Sequence, residues 1–352
     1  MKIGIALSGG GIRATIFHLG VFKYLAEKGL LGQITHISSV SGASLCVALI
    51  FARNGNKWPL DREYLDRVLP DIEKTILNNN IQMAALLRFL FSHKYWGNRA
   101  ALIAQVMRDK WGVTGSLQDL PDVPVWEINC TTFETGKCFR FTKAQMGDWQ
   151  IGHVKRPDFP IADAAAASAG FPILIGPLKF DAGKYQWDKK PLEAVYYLWD
   201  GGVYDNLGLE ALYKPDQGLV DTDFLVLSNA SCPNGYLHRN GFSSAKNLKR
   251  LLDITMDQVA GLREREVVAQ VIKMNQGIYV NIENTAEKIA DDSKADVETK
   301  KRLMDMCISP GDAEKVRDYE TTLNSPAKQN YELILRHGYE NALCCWTCYM
   351  KM

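Results

Sequence analysis

Ile34–Leu45 reads ITHISSVSGASL. An apolar, β-branched run climbs to Val40, breaks at Ser41-Gly42-Ala43-Ser44, and gives way to a helical pattern with Leu45, Ala48 and Leu49 on one face. Strand, sharp turn and helix in that order make a nucleophile elbow, which holds a serine hydroxyl clear of the backbone at the tip of a sheet. The crossing of strand and helix there demands small residues two before and two after the serine. Ser41 has Ser39 and Ala43 in those places. Ser39 has the bulky Ile37 behind it, and Ser44, between Gly42 and Cys46, remains a weaker candidate.

The chain has 352 residues, 47% apolar and 23% charged, which is ordinary for a soluble globular protein with an ample core. Lys and Arg number 41 against 40 Asp and Glu, so no global field steers the chain toward nucleic acid or anionic lipid. The apolar run Ile3–Leu7 is too short for a secretory leader, and no span reaches membrane-crossing length. Eight cysteines lie scattered, in no metal-ligand spacing beyond Cys345-Trp-Thr-Cys348, and read as reduced thiols of a cytoplasmic protein. Cys344, Cys345 and Cys348 suit a buried cluster better than lipidation or an incomplete metal site.

Working outward, Lys2–Leu7 reads as a buried parallel strand entering Ser8-Gly9-Gly10-Gly11-Ile12-Arg13. A helix with Phe17, Val21 and Leu25 follows and stops at Gly29. With the elbow strand and its helix, the first 55 residues open a doubly wound sheet. Residues 60–112 are expected to be a helical insertion whose segment Ile81–Phe91 is apolar nearly all round. Met83–Trp96 is either a core helix or an interfacial lid. Val125–Cys130 and Cys138–Thr142 read as a hairpin, Ile161–Gly170 as a closely packed small-residue helix, Val195–Trp199 and Phe224–Ser228 as strands. Residues 245–273 and Tyr331–Cys345 read as helices, and the charged stretch 283–302 as a solvated helix or a mobile loop and not a functional patch. Nothing divides the chain, which is expected to be one domain over 1–352, with a motif-bearing core at about 1–230 and a helical part at about 245–352.

The glycine run between strand and helix gathers backbone N–H groups at the positive end of a helix dipole. A P-loop needs Gly-Lys-Ser/Thr, which Ile12-Arg13-Ala14 lacks. A dinucleotide fingerprint fits formally, but the second strand ends without the acidic residue for the ribose. An oxyanion hole is the third reading, and the adjacent serine elbow favours it. The serine needs a base. None of the six histidines lies in a convincing position after a strand, whereas Asp200 ends an apolar strand and Gly201-Gly202 let the chain turn there.

Taken together, Ser8–Arg13, the elbow Ser39-Val-Ser41-Gly-Ala43-Ser, Asp200-Gly201-Gly202 with Asn206, and the Ala-rich Ala164–Pro172 resemble the patatin-like phospholipases, in that family's order over about residues 1–230. The resemblance implies a three-layer α/β/α fold with a mainly parallel central sheet and helical insertions. It implies a serine lipid acyl hydrolase using a Ser41–Asp200 dyad. Gly9, Gly10 and Gly11 would form the oxyanion hole, Gly10 and Gly11 through their N–H groups and Gly9 by shaping the loop. Arg13 would hold that loop or bind a lipid phosphate. The expected partners are a phospholipid or another fatty-acyl ester and a transient membrane surface, with no nucleic acid, cofactor or metal. The usual elbow, Gly-x-Ser-x-Gly, here carries Ser39 and Ala43 in place of its glycines, and Ala14 stands where a glycine often follows the arginine. The alternatives are an inactive lipid-binding relative and a nucleotide-binding α/β protein.

Overall fold

A computed structural model of the chain describes residues 1–91, 97–172, 175–232 and 244–350. The strand β1 (Ile3–Leu7) has every residue buried, as a strand covered on both faces must. It leads through the glycine loop into α1 (Gly11–Glu27), β2 (Ile34–Val40) and α2 (Gly42–Arg53). The insertion follows as α3 (Asp61–Glu63), a π-turn, α4 (Leu69–Asn78), α5 (Ile81–Phe91) and α6 (Arg99–Trp111).

Next come β3 (Val125–Thr132), β4 (Cys138–Phe141), β5 (Gln145–Asp148) and β6 (Gly152–Lys155), an antiparallel meander, then α7 (Ile161–Ser168). β7 (Leu178–Asp181) and β8 (Val195–Asp200) precede the short α8 (Gly202–Asp205), a small hairpin of β9 (Tyr213–Lys214) and β10 (Gly218–Leu219), and β11 (Phe224–Asn229). The remainder is α9 (Ser244–Val267), β12 (Gly277–Asn281), α10 (Ala286–Asp292), α11 (Val297–Met306), α12 (Pro310–Arg317) and α13 (Lys328–Tyr349).

The strand order is β12-β11-β1-β2-β3-β4-β5-β6, and the five strands from β12 to β3 run parallel. Strand alternation divides the core. Ile3, Ile5 and Leu7 of β1 join Phe224 and Val226 of β11 on one face, where α1, α2 and α13 pack. Ala6, Leu225 and Leu227 face the other way, against Leu207, Leu209, Val267 and Val271. The sheet is thus mainly parallel at its centre and flanked by helices, the expected α/β/α arrangement. Two glycines let α1 and α13 cross closely: a Cβ on Gly20 would meet Leu335 O at 2.0 Å, and one on Gly338 would meet Phe17 O at 2.1 Å.

Two features depart from the sequence reading. β12 lies in a segment where no strand is expected from the sequence. β8 runs antiparallel to β3, against the direction that a simple doubly wound sheet would give it. The charged stretch is helical, one of its two sequence readings, forming α10 and α11 with Ile289 and Leu303 buried. Cys344, Cys345 and Cys348 are buried on α13, and among the described residues no group of His, Cys, Asp and Glu is arranged to hold a metal.

Candidate active site

The register around β3 brings the two candidate reactive residues together. Along one edge of β3, β2 pairs up to Val40 opposite Asn129. The other edge is occupied by β4, which pairs through Cys130 and Thr131. β8 also pairs with Cys130, Thr131 and Thr132, so it takes over the edge that β2 leaves. Asp200 sits opposite Cys130, one step beyond the partner of Val40. Ser41 follows Val40, and the two strands end face to face at one point of the sheet.

Ser41 turns there with φ 54° and ψ −121°, a sparsely populated conformation for a residue with a side chain. Such a conformation costs about 1–3 kcal/mol and persists only where the surroundings over-determine it. Those surroundings are tight. A Cβ on Gly42 would meet Gly11 O at 2.1 Å, and Thr15 Oγ1 lies within hydrogen-bond distance of both Gly42 O (2.8 Å) and Gly11 O (3.1 Å), with its one proton to give. A Cβ on Gly9 would lie 2.5 Å from Asn206 Oδ1 and 3.0 Å from Ser41 Cβ. The glycine loop and the elbow therefore pack as one unit, and the N-termini of α1 and α2 converge on it. Neither helix has an acidic residue in its first turn to offset the positive end of its dipole.

Gly10 (φ 146°) and Gly11 (φ 60°) use backbone conformations that favour glycine. Their N–H groups have no hydrogen-bond partner among the described residues. Gly9 gives its N–H to Asn206 O at 3.1 Å, in keeping with the loop-shaping part expected of it rather than that of a donor. Asn206 Nδ2 is in turn anchored on Ser231 Oγ at 2.8 Å.

Asp200 is buried. Its Oδ1 accepts the Gly202 N–H at 2.8 Å. Its Oδ2 has no partner of full hydrogen-bond geometry among the described residues. Burial pushes the Asp200 carboxyl up to about 7, against the opposing pull of the Gly202 N–H and the Ser41 hydroxyl. A carboxylate with a pKa near neutrality beside a serine hydroxyl is suited to take its proton.

The rival serine is accounted for differently. Ser44 Oγ lies 2.9 Å from Ser39 Oγ and 2.8 Å from Ser168 Oγ, wholly buried. Of the six histidines, His18 is locked between Ser228 Oγ and Ser8 O, and His337 is buried against Ile282 O. His36 and His153 lie away from the cavity, His93 and His238 are outside the described residues, and no described histidine lines it.

Ser41 and Asp200 open into a cavity of about 820 Å³. One side is apolar, formed by Leu86, Phe89, Leu102, Ile103, Phe171 and Ile175. The lining also includes Asn206, Ser231, Met256 and the segment from Glu320 to Asn324. That segment crosses the glycine loop, with Thr322 O accepting the Ile12 N–H at 2.8 Å. Gln82 of α5 also holds it, its Oε1 taking the Leu323 N–H and the Thr322 hydroxyl, each at 2.8 Å. No sequence pattern pointed to this segment, which reaches the site only through the tertiary fold.

Arg13, 2% exposed, spans the same region. Its Nε donates to Ala230 O at 3.3 Å, and its Nη1 to Arg317 O at 3.1 Å and to Tyr319 O. Its guanidinium thus ties the segment before Glu320 to the end of β11 and to the loop.

A family model described as patatin-like phospholipase matches residues 5–213, more than half of the chain. Cytosolic phospholipase A2 gamma of Mus musculus is 38% identical over 65 residues, covering 18% of this chain and 11% of that protein. The Homo sapiens protein of the same name is 32% identical over 65 residues, covering 18% and 12%. Among solved structures, human GIVD cytosolic phospholipase A2 matches with a TM-score of 0.56 at 12% identity, over 99% of this chain and 63% of that one. The same enzyme in complex with methyl gamma-linolenyl fluorophosphonate inhibitor and terbium chloride gives 0.53 at 13% identity, over 99% and 60%. At these identities the structural likeness is one of fold. The chain covers less than two thirds of the length of each of these relatives.

Proposed function

Because the chain belongs to the patatin-like phospholipase family, we propose that it is a serine acyl hydrolase that cleaves the fatty-acyl ester of a glycerophospholipid or lysophospholipid. The observation that carries this reading is the meeting of Ser41 and the buried Asp200 on one edge of β3, beneath a largely apolar cavity. Asp200 takes the proton of Ser41 as Ser41 Oγ attacks the ester carbonyl. The N–H groups of Gly10 and Gly11, backed by the dipole of α1, hold the charge that develops on the carbonyl oxygen. The alcohol leaves with the proton from Asp200. A water deprotonated by Asp200 then attacks the acyl-enzyme, the bond to Ser41 Oγ breaks to release the fatty acid, and Asp200 returns the proton to Ser41 Oγ. Arg13 stabilises the glycine loop and the crossing segment, a role supported by its three backbone acceptors. Serine, carboxylate and backbone N–H groups complete this sequence of steps.

The reading is tested by the pH dependence of hydrolysis of a soluble short-chain ester. Asp200 acts as base only when deprotonated, so activity is expected to rise through pH about 7 and level off above it. A profile already flat from about pH 5 upward would place an ordinary carboxylate, or a different base, in that role.

Lipid must reach the cavity from a surface. Among the described residues no helix is long and apolar enough to cross a membrane. α5 bears Met83, Leu86 and Leu87, each about half exposed, while Ile81 and Ala85 on its other side are buried. It is therefore both a core helix and an exposed apolar edge. Phe89 belongs to the cavity wall, and Lys94, Tyr95 and Trp96 lie outside the described residues, as does the side chain of Phe91. α9, which also lines the cavity through Met256, exposes Leu248, Leu251 and Ile254. Burying two or three such side chains at roughly 25 cal/mol per Å² gives a few kcal/mol, enough for reversible peripheral contact with a bilayer.

Met83→Ser/Leu87→Ser is expected to lower hydrolysis of vesicle lipid by about tenfold or more and to leave the soluble ester unaffected. Because the contact is hydrophobic, vesicle binding is expected to persist in high salt. Equal loss on both substrates, together with a lower melting temperature, would assign these side chains to the core alone.

A further inference from the structure

We infer that Ser168, the last residue of α7, is the positioning residue that holds Ser41 and Asp200 in register, an inference that rests on the proposed roles of those two residues. Ser168 is fully buried and makes four polar contacts with three different segments. Its Oγ donates to Asn129 O at 2.7 Å, accepts the Ser41 N–H at 3.0 Å, and lies 2.8 Å from Ser44 Oγ. Its carbonyl accepts the Gly201 N–H at 3.2 Å, and two residues further on Gly170 O accepts the Asp200 N–H, also at 3.2 Å. The end of α7 therefore grips the backbone of both proposed reacting residues.

The proton assignment in this cluster is determined by its two ends. Asn129 O can only accept, so the single hydroxyl proton of Ser168 goes there. Ser44 must then donate to Ser168, and Ser39 to Ser44. The chain begins at Trp126 Nε1, which can only donate, and gives its hydrogen to Ser39 Oγ at 2.8 Å. Every hydroxyl proton is committed in one direction, and the Ser41 N–H is the second hydrogen received by Ser168. That arrangement ties up the Ser44 proton. It also leaves the Ser41 hydroxyl outside the chain and available to Asp200.

Ser41 has an unfavourable backbone conformation, and its N–H bond to Ser168 fixes the plane of the peptide that enters the turn. Without that bond the turn can relax and carry Ser41 Oγ away from Asp200. A misplacement of about 1 Å typically costs on the order of a hundredfold in rate. The side chain of Ser168 is absent from the cavity lining, so substrate binding should not sense it directly.

The test compares Ser168→Ala with Ser39→Ala on a soluble short-chain ester. Ser39→Ala breaks the same chain of hydroxyls two links away and leaves the Ser41 N–H bond in place. Ser168→Ala is expected to lower kcat by about 30- to 100-fold with KM unchanged, and to slow fluorophosphonate labelling in proportion. Ser39→Ala is expected to lower the melting temperature comparably while kcat stays within about threefold. Equal kcat in the two variants, or a Ser168→Ala loss expressed in KM, overturns the inference. If Ser168→Ala does not fold, Ser168→Cys keeps the volume with a weaker acceptor. The same fall in kcat is then expected, and wild-type kcat would overturn the inference. Wild-type protein without ester hydrolysis would instead overturn the proposed function, so the two failures are distinct.

Discussion

Ser41→Ala is expected to abolish ester hydrolysis, with a fall of at least about a thousandfold, because no other described hydroxyl stands where Asp200 can deprotonate it. Ser44, three residues on, has its proton committed to Ser168. The variant should fold normally. Alanine tolerates the Ser41 backbone no worse than serine does, and the grip on that backbone comes from its N–H, which alanine keeps. Stability is expected to change by less than about 1 kcal/mol. Wild-type melting temperature together with lost hydrolysis and lost fluorophosphonate labelling would satisfy this expectation. Hydrolysis surviving in Ser41→Ala and disappearing in Ser44→Ala would move the attacking group along the helix.

Asp200→Asn is expected to cost on the order of ten-thousandfold in rate, since the amide keeps the shape and cannot accept the proton. No single histidine substitution should approach that loss. Stability should move the other way, and the sign follows from the direction of the shift. The Asp200 carboxyl is pushed up to about 7 in the folded chain, above its unfolded value, so the folded state holds the proton more tightly. Stability is therefore lost as pH rises from the unfolded value toward about 7, and the penalty is complete above that. Asparagine has no charge to bury. Its melting temperature at pH 8 is expected to equal or exceed that of the wild type, with the difference vanishing at acidic pH. An Asp200→Asn chain that is less stable at pH 8 would mean that the carboxylate is needed to hold the fold.

The first half of the fold was readable because its strands are long apolar runs punctuated by glycine and serine, as in Ile3–Leu7 and Ile34–Val40. Ser41 and Asp200 each stand out in the sequence by their place at a strand end, and the family's order of motifs joins them as a pair. The physical cause, β8 replacing β2 along β3, depends on strand direction and register, which a short run such as Val195–Asp200 does not encode. β12 escaped notice because Gly277–Asn281 is only five residues between a long helical pattern and a charged stretch. Ser168 sits in an alanine-rich helix where a serine reads as one more small residue. Its importance appears only when α7 is seen against the elbow. Arg13 gave a positive charge next to a glycine loop, and only the fold reveals three backbone carbonyls around it. Gly9 was readable as a loop glycine, but not as one whose N–H is already given to Asn206.

The most direct measurement is the position of the covalent adduct after a fluorophosphonate reacts with the full chain, read by fragmentation mass spectrometry of the peptide that contains both Ser41 and Ser44. The expected adduct is on Ser41, formed quickly in the wild type and at least about a hundredfold more slowly in Asp200→Asn. An adduct on Ser44 or another residue with Ser41 unmodified, or ester hydrolysis by a chain that the probe never labels, would contradict the assignment of Ser41 as the nucleophile.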